Sequence, residues 1–126
     1  VDTPIFRLLK KALPGPYTFI LEASKQVPRI LKTKKDTVGI RIPDHRVCQL
    51  IVSELGNPIM STSLPVDDEI EYYTDPELMH DRFGKLVDIV IDSGPGHTVP
   101  STVIDCTSGA PELIRQGAGD WENLTG

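Results

Sequence analysis

Pro14-Gly15-Pro16-Tyr17-Thr18-Phe19-Ile20-Leu21-Glu22 is the segment on which the fold turns. Proline has no amide donor and restricts the residue before it, so Pro14 to Pro16 must stop whatever helix precedes them. Aromatic and β-branched residues follow at once, and Tyr17 to Glu22 reads as a strand. Upstream, Thr3 offers a helix cap and Pro4 suits the first helical position. Ile5, Leu8, Leu9 and Ala12 then fall on one helical face. The chain therefore opens as an amphipathic helix running into a strand.

Downstream the same logic continues. Gln26 to Leu31 reads as a short helical turn around Pro28, and Lys32 to Asp36 as a polar loop. Thr37 to Ile42 is a second strand closed by Pro43. Asp44 is placed to cap a helix whose apolar face is Val47, Leu50, Ile51 and Leu55, ending before Gly56. Pro58 to Ser63 reads as a strand running into a loop, and Leu64 to Thr74 as an acidic irregular stretch. Asp75-Pro76 caps and starts another helix carrying Leu78, Met79 and Phe83. Val87 to Asp92 looks like a buried strand, followed by the Gly/Pro-rich loop Ser93 to Pro100. Ser101 to Cys106 and Glu112 to Arg115 read as a strand pair joined by a turn over Thr107 to Pro111. After Gly117 no periodicity is legible. Strands alternating with helices early and pairing as a hairpin late predict an α/β (α+β) fold with a mixed sheet.

Composition bounds the function. The 126 residues, 39% hydrophobic and 25% charged, fit one ordinary globular domain. No apolar run approaches the ~20 residues of a membrane helix. Net charge is −5, but residues 1–50 carry ten Lys/Arg against four Asp/Glu, whereas residues 51–126 carry three against fourteen. A basic first half suits an anionic ligand such as a nucleotide or an RNA backbone, or simply a solvated cationic face. Cys48 and Cys106 sit far apart in apolar segments and read as free thiols, in keeping with a cytoplasmic location. His45, His80 and His97 lack metal-ligand spacing with either cysteine, so no metal site is expected. There is no Walker-type phosphate loop, no Gly-x-Gly-x-x-Gly fingerprint and no nucleophile elbow.

What remains is a series of hydroxyls and guanidinium groups near expected strand ends: Thr37 with Arg41, the run Ser61-Thr62-Ser63, Ser101-Thr102, and Arg115 ahead of Gly117. Strand ends facing a crevice are the usual ligand site of open α/β sheets. An arginine fork grips carboxylate or phosphate with two parallel hydrogen bonds, and hydroxyls orient phosphates, a ribose or an amino acid. Each taken alone also has a purely structural explanation, as a strand former, a turn cap or a surface salt bridge.

Taken in order, five motifs resemble the YrdC/YciO family. They are Pro14-Gly15-Pro16-Tyr17-Thr18, Thr37-Val38-Gly39-Ile40-Arg41-Ile42-Pro43, Pro58-Ile59-Met60-Ser61-Thr62-Ser63, Pro100-Ser101-Thr102-Val103-Ile104-Asp105 and Arg115-Gln116-Gly117. The likeness runs from the first residue to about Asp120, leaving 121–126 as a tail. Tyr17-Thr18-Phe19-Ile20-Leu21 and Asp75-Pro76-Glu77 are most similar to the YciO branch. The resemblance implies a twisted open mixed sheet with flanking helices around a concave basic cavity. It implies synthesis of L-threonylcarbamoyladenylate from ATP with Mg2+, L-threonine and bicarbonate, for threonylcarbamoyladenosine modification of tRNA by a downstream transferase. By motif position Arg41, Ser61 and Ser101 would contact threonine, and Thr37, Ser63 and Arg115 would contact ATP; no general base is nominated. The alternative is a non-catalytic module of the YciO type binding double-stranded RNA, tRNA or a nucleotide.

Two departures from the family pattern are expected to matter. Pro65 stands where the synthase branch has an asparagine. Family domains also begin with roughly sixty to eighty further residues that carry a basic Lys-x-Arg-type motif, so this chain is expected to be an N-terminally truncated piece, its activity alone in question and its sheet edge prone to association.

Overall fold

The structure, a computed structural model, describes residues 3–32, 34–63, 74–96 and 99–125. Two compact units are distinguished. One takes in the chain up to Ile59 and from Pro100 onward; the other runs from Met60 to Val99.

The first unit opens with helix α1, Thr3–Ala12, which begins at Thr3 itself and buries Ile5 and Ala12. Strand β1, Tyr17–Glu22, follows as the Pro/Gly break requires. A single 3-10 turn at Arg29–Leu31 leads to β2, Thr37–Ile40. The expected strand stopped at Ile42, but the ladder ends two residues earlier, because the Ile42 carbonyl instead accepts from the Gly15 amide at 2.9 Å. Helix α2, Arg46–Leu55, starts after His45 and not after Asp44, and His45 makes no side-chain cap bond. Gly56 closes α2 in the left-handed conformation (φ 80°), with its amide bonded to the Val52 carbonyl. Strands β3, Thr102–Asp105, and β4, Glu112–Arg115, complete the sheet.

The sheet order is β2-β1-β3-β4. β1 is antiparallel to β2 and parallel to β3, and β3 is antiparallel to β4. It is a mixed, open, four-stranded sheet. Because side chains alternate across a strand, the register sorts residues onto two faces. Phe19 pairs with both Ile40 and Ile104 and defines the core face. Phe19, Ile104 and Thr102 are fully buried there, with Ile5, Ala12, Cys106 and Leu124 around them.

Leu124 is an unexpected member. The segment without legible periodicity forms a short helix, α4, Trp121–Thr125. Asp120 Oδ1 accepts from the Asn123 amide, and Lys11 Nζ donates to the carbonyls of Asn123 and Leu124. Tyr17 donates its hydroxyl to the Asp120 carbonyl at 2.9 Å. A capped helix with a cation at its C-terminal carbonyls is thus pinned across α1 and β1.

In the second unit, helix α3, Pro76–Phe83, starts as expected: the Asp75 carboxylate accepts from the Glu77 amide at 3.0 Å with Pro76 in the first turn. The two strands expected in this part of the chain do not form. Residues 58–63 and 87–92 lie outside any ladder, and Val87, Ile89 and Ile91 are 47%, 77% and 52% exposed. An apolar run of strand length becomes a strand only where another edge supplies hydrogen bonds. The acidic stretch over 64–73, which contains Pro65, and His97 lie outside the described residues.

Candidate functional site at one end of the open sheet face

The register that puts Phe19 in the core sends Thr18, Ile20, Glu22, Thr37, Gly39, Val103, Asp105, Glu112 and Arg115 to the opposite face. No residue of that face is fully buried. Of the residues singled out from the sequence it carries Thr37 and Arg115, and it is chemically polarised along the strands.

At one end stand hydroxyls and guanidinium groups. Thr18 Oγ1 and Ser101 Oγ are 2.6 Å apart, linking the start of β1 to the residue before β3. Arg115 donates Nε–H and Nη2–H to the Ser101 carbonyl at 3.2 and 2.8 Å. The rest of its fork stays available to an anion. Arg41 follows the pair Ile40–Phe19, and the Gly15–Ile42 bond keeps its backbone beside the start of β1. It is solvent-exposed. Arg41 and Arg115 therefore flank the Thr18–Ser101 pair from the two edges of the sheet, with backbones roughly 14 Å apart by strand spacing.

The other end is acidic. Glu22 pairs with Thr37, and Asp105 with Glu112. Thr37 is thus at the acidic end of this face, roughly 13 Å along the chain from Arg41 by strand rise, so a single small ligand does not meet both. Ser61 and Ser63 belong to the second unit and are exposed. Ser101 and Arg115 are in direct contact, with Arg41 at the opposite edge of the sheet; the remaining three are not gathered with them within the first unit.

Thr102 and Gly117 hold this end together, and sequence reading gave neither a role beyond its motif. The Thr102 hydroxyl, fully buried, donates to the Gly119 carbonyl at 2.6 Å and accepts from the Gly117 amide at 2.9 Å. Gly117 lies so close that a Cβ there would collide with the carbonyl oxygens of Pro100 and Ser101. Gly117→Ala should therefore push Arg115 away from Ser101 and cost about 1–3 kcal/mol of stability, read as a lower urea midpoint. An unchanged midpoint would show that the loop yields freely.

Asp105 closes the acidic end. The Thr107 hydroxyl and amide both donate to its Oδ1, at 2.6 and 2.8 Å. These bonds hold the carboxyl below the ordinary aspartate range; slight burial opposes them and Lys35 adds a smaller pull. A carboxyl that titrates lower when folded than its unfolded value of about 3.9 stabilises the fold fully above that value, and loses the contribution as pH falls through the folded one. The stability gap between the wild type and Asp105→Asn should accordingly be constant above about pH 5 and close below about pH 4. Urea midpoints across that range check it, and a gap that widens on acidification contradicts it.

Elsewhere the structure offers less. A cavity of about 590 Å³ in the second unit is lined by Asp75, Glu77 and Asp92 among others, and these carboxylates disfavour an anion. Among the described residues no group of three or more His, Cys, Asp or Glu side chains could hold a metal ion. Neither cysteine forms a disulfide; Cys106 is buried and Cys48 only half-buried. No described helix is long and apolar enough to cross a membrane.

A hydroxyl- and arginine-bearing end on an open mixed sheet, in this motif order, defines a known class. The chain belongs to the Sua5/YciO/YrdC family, whose model, described as telomere recombination, matches residues 1–117. Its relatives fall on two branches. The Escherichia coli protein YciO, itself named as uncharacterized, is 43% identical over 121 residues, 95% of this chain and 59% of its own length. The crystal structure of E. coli YciO superposes with a TM-score of 0.89 at 42% identity, covering 98% of this chain and 61% of that one. The threonylcarbamoyl-AMP synthase of Pyrococcus abyssi is 33% identical over 118 residues, 93% of this chain and 34% of its length. P. abyssi Sua5, crystallised with L-threonine, superposes with a TM-score of 0.82 at 28% identity over 98% of this chain and 36% of that one. The chain thus spans about three-fifths of the YciO proteins it matches.

Proposed function

We propose that this chain carries the amino-acid- and nucleotide-binding face of a domain that forms threonylcarbamoyl-AMP from ATP, L-threonine and bicarbonate. The observation that carries the reading is the contact of Arg115 with Ser101, with Arg41 on the opposite edge of the same end. Two cationic forks with hydroxyls between them suit a molecule bearing a carboxylate, a hydroxyl and a phosphate ester. The relatedness to a threonylcarbamoyl-AMP synthase and to a Sua5 crystallised with L-threonine points the same way.

In this reading Arg41 and Ser101 meet threonine, and Ser61 keeps the threonine contact its motif implies. Arg115, Thr37 and Ser63 meet ATP. The polarity along β2 fits an extended ligand, with Thr37 reaching the part of the nucleotide farthest from Arg41. The amine attacks bicarbonate and water leaves, giving a carbamate. The carbamate oxygen attacks the α-phosphorus, and pyrophosphate departs. The protein's share is to bring the groups together and offset charge. The donor set at this end, guanidinium and hydroxyl, suits anions and not a bare cation, so Mg2+ would arrive on the ATP phosphates and no step is assigned to it.

Pyrophosphate release with ATP, L-threonine and bicarbonate tests the reading, with the P. abyssi synthase and E. coli YciO run beside this chain. Release that requires all three substrates supports it. A chain that binds neither threonine nor ATP overturns it. The second reading, an RNA- or nucleotide-binding module, is favoured by the higher identity to YciO than to the synthase. It is distinguished by RNA affinity that falls steeply with salt and ignores threonine.

A further inference from the structure

We propose that Thr18 is a positioning residue: it fixes the Ser101 hydroxyl for the amino-acid substrate. This rests on the reading of Ser101 as a threonine contact. A serine hydroxyl on a strand end swings among three rotamers, and any single useful one has to be selected. Here the selection is visible. The Oγ–Oγ distance of 2.6 Å is at the short end for a hydroxyl pair.

Thr18 is itself held. A Cβ on Gly39 would lie 3.4 Å from Thr18 Cγ2, so the threonine methyl rests over β2 at the one residue of that strand without a side chain. With the methyl directed to β2, the hydroxyl is directed to β3, and a β-branched residue does not turn easily about χ1. The backbones are locked on either side, by the Thr102 amide to the Pro16 carbonyl and the Cys106 amide to the Ile20 carbonyl, each at 2.9 Å. Arg115 grips the Ser101 carbonyl from the far edge. Ser101 is thereby held through its main chain by β4 and through its side chain by β1. Whichever hydroxyl donates to the other, Ser101 keeps a complementary donor or acceptor for a ligand.

The test compares Thr18→Val, which keeps the shape and removes the hydroxyl, with Thr18→Ser, which keeps the hydroxyl. L-Threonine and ATP are titrated separately by calorimetry, and Ser101 χ1 is read from Hα–Hβ couplings without ligand. Thr18→Val should free Ser101 χ1 and weaken threonine binding roughly threefold to tenfold, the worth of one neutral hydrogen bond. ATP affinity should hold within about twofold, and Thr18→Ser should restore threonine binding to the same margin. An unchanged χ1 in Thr18→Val, or a threonine affinity that Thr18→Ser fails to restore, overturns the inference. Loss of binding in Ser101→Ala but not in Thr18→Val overturns it alone. Threonine binding unaffected by Ser101→Ala, or absent from the wild type, overturns the reading of Ser101 and the role of Thr18 with it.

Discussion

Arg41→Ala is expected to weaken L-threonine binding by about 2–5 kcal/mol, roughly 30-fold to several-thousand-fold in Kd. Arg41 is exposed in the free protein, and among the described residues no carboxylate engages its guanidinium. A substrate carboxylate that meets it leaves water in doing so. Removing the arginine then strands a desolvated anion, and most of the loss is that stranding. Arg41→Lys separates charge from geometry, because an ammonium keeps the charge but cannot offer the planar fork. It should recover only part of the affinity. Thermal stability should hardly move in either variant, since Arg41 is exposed and among the described residues its side chain holds nothing else in place. Titration calorimetry on the three proteins decides it. Equal threonine affinity in the wild type and Arg41→Ala rejects the assignment.

Phe19→Ala is expected to cost about 3–5 kcal/mol of folding stability, a large share of the ~5–15 kcal/mol available to a domain. Phe19 is fully buried, its ring is stacked with that of Tyr17 at 6.2 Å between centroids, and its backbone pairs on both sides. Truncation leaves a cavity between α1 and the centre of the sheet, where neighbours on fixed ladders have little freedom to collapse. The expected readout is a much lower urea midpoint with an unchanged slope. Ligand affinity of the fraction still folded should stay near that of the wild type, because Phe19 and Thr18 point to opposite faces. A midpoint within error of the wild type would mean that the core lies elsewhere.

These two outcomes probe what the sequence made legible and what it hid. β1 could be read because a Pro/Gly break precedes six residues of strand chemistry. α1 could be read from its periodicity, and α3 from its periodicity and the Asp75 cap. The mixed sheet was also inferable from the order of elements. Its strand order was not, since nothing local records that β1 lies parallel to a strand more than eighty residues on. Val87 to Asp92 misled because an apolar run advertises burial without naming a partner. α4 escaped because five residues are too few for a period; the cap at Asp120 with Glu122 in the first turn was the only signal.

The candidate site divides the same way. Residue types and motif order named Arg41, Ser101 and Arg115; the fold brings Ser101 and Arg115 into contact and leaves Arg41 just past the end of β2 at the same end of the sheet. Thr37 was grouped with them by motif, yet β2 carries it to the acidic end beside Glu22. Thr18 looked like an ordinary strand residue, because its role depends on a hydrogen bond across 83 positions of sequence. Thr102 and Gly117 were hidden for a related reason. Their bonds link two segments whose approach only the fold creates.

The most direct measurement is amide and side-chain chemical shifts of the chain titrated with L-threonine by NMR. Binding at the basic end should shift Thr18, Ser101 and Arg41 together while Asp105 and Glu112 at the other end stay still. No saturable shifts, or shifts gathered at the carboxylate end, would contradict the assignment of this face.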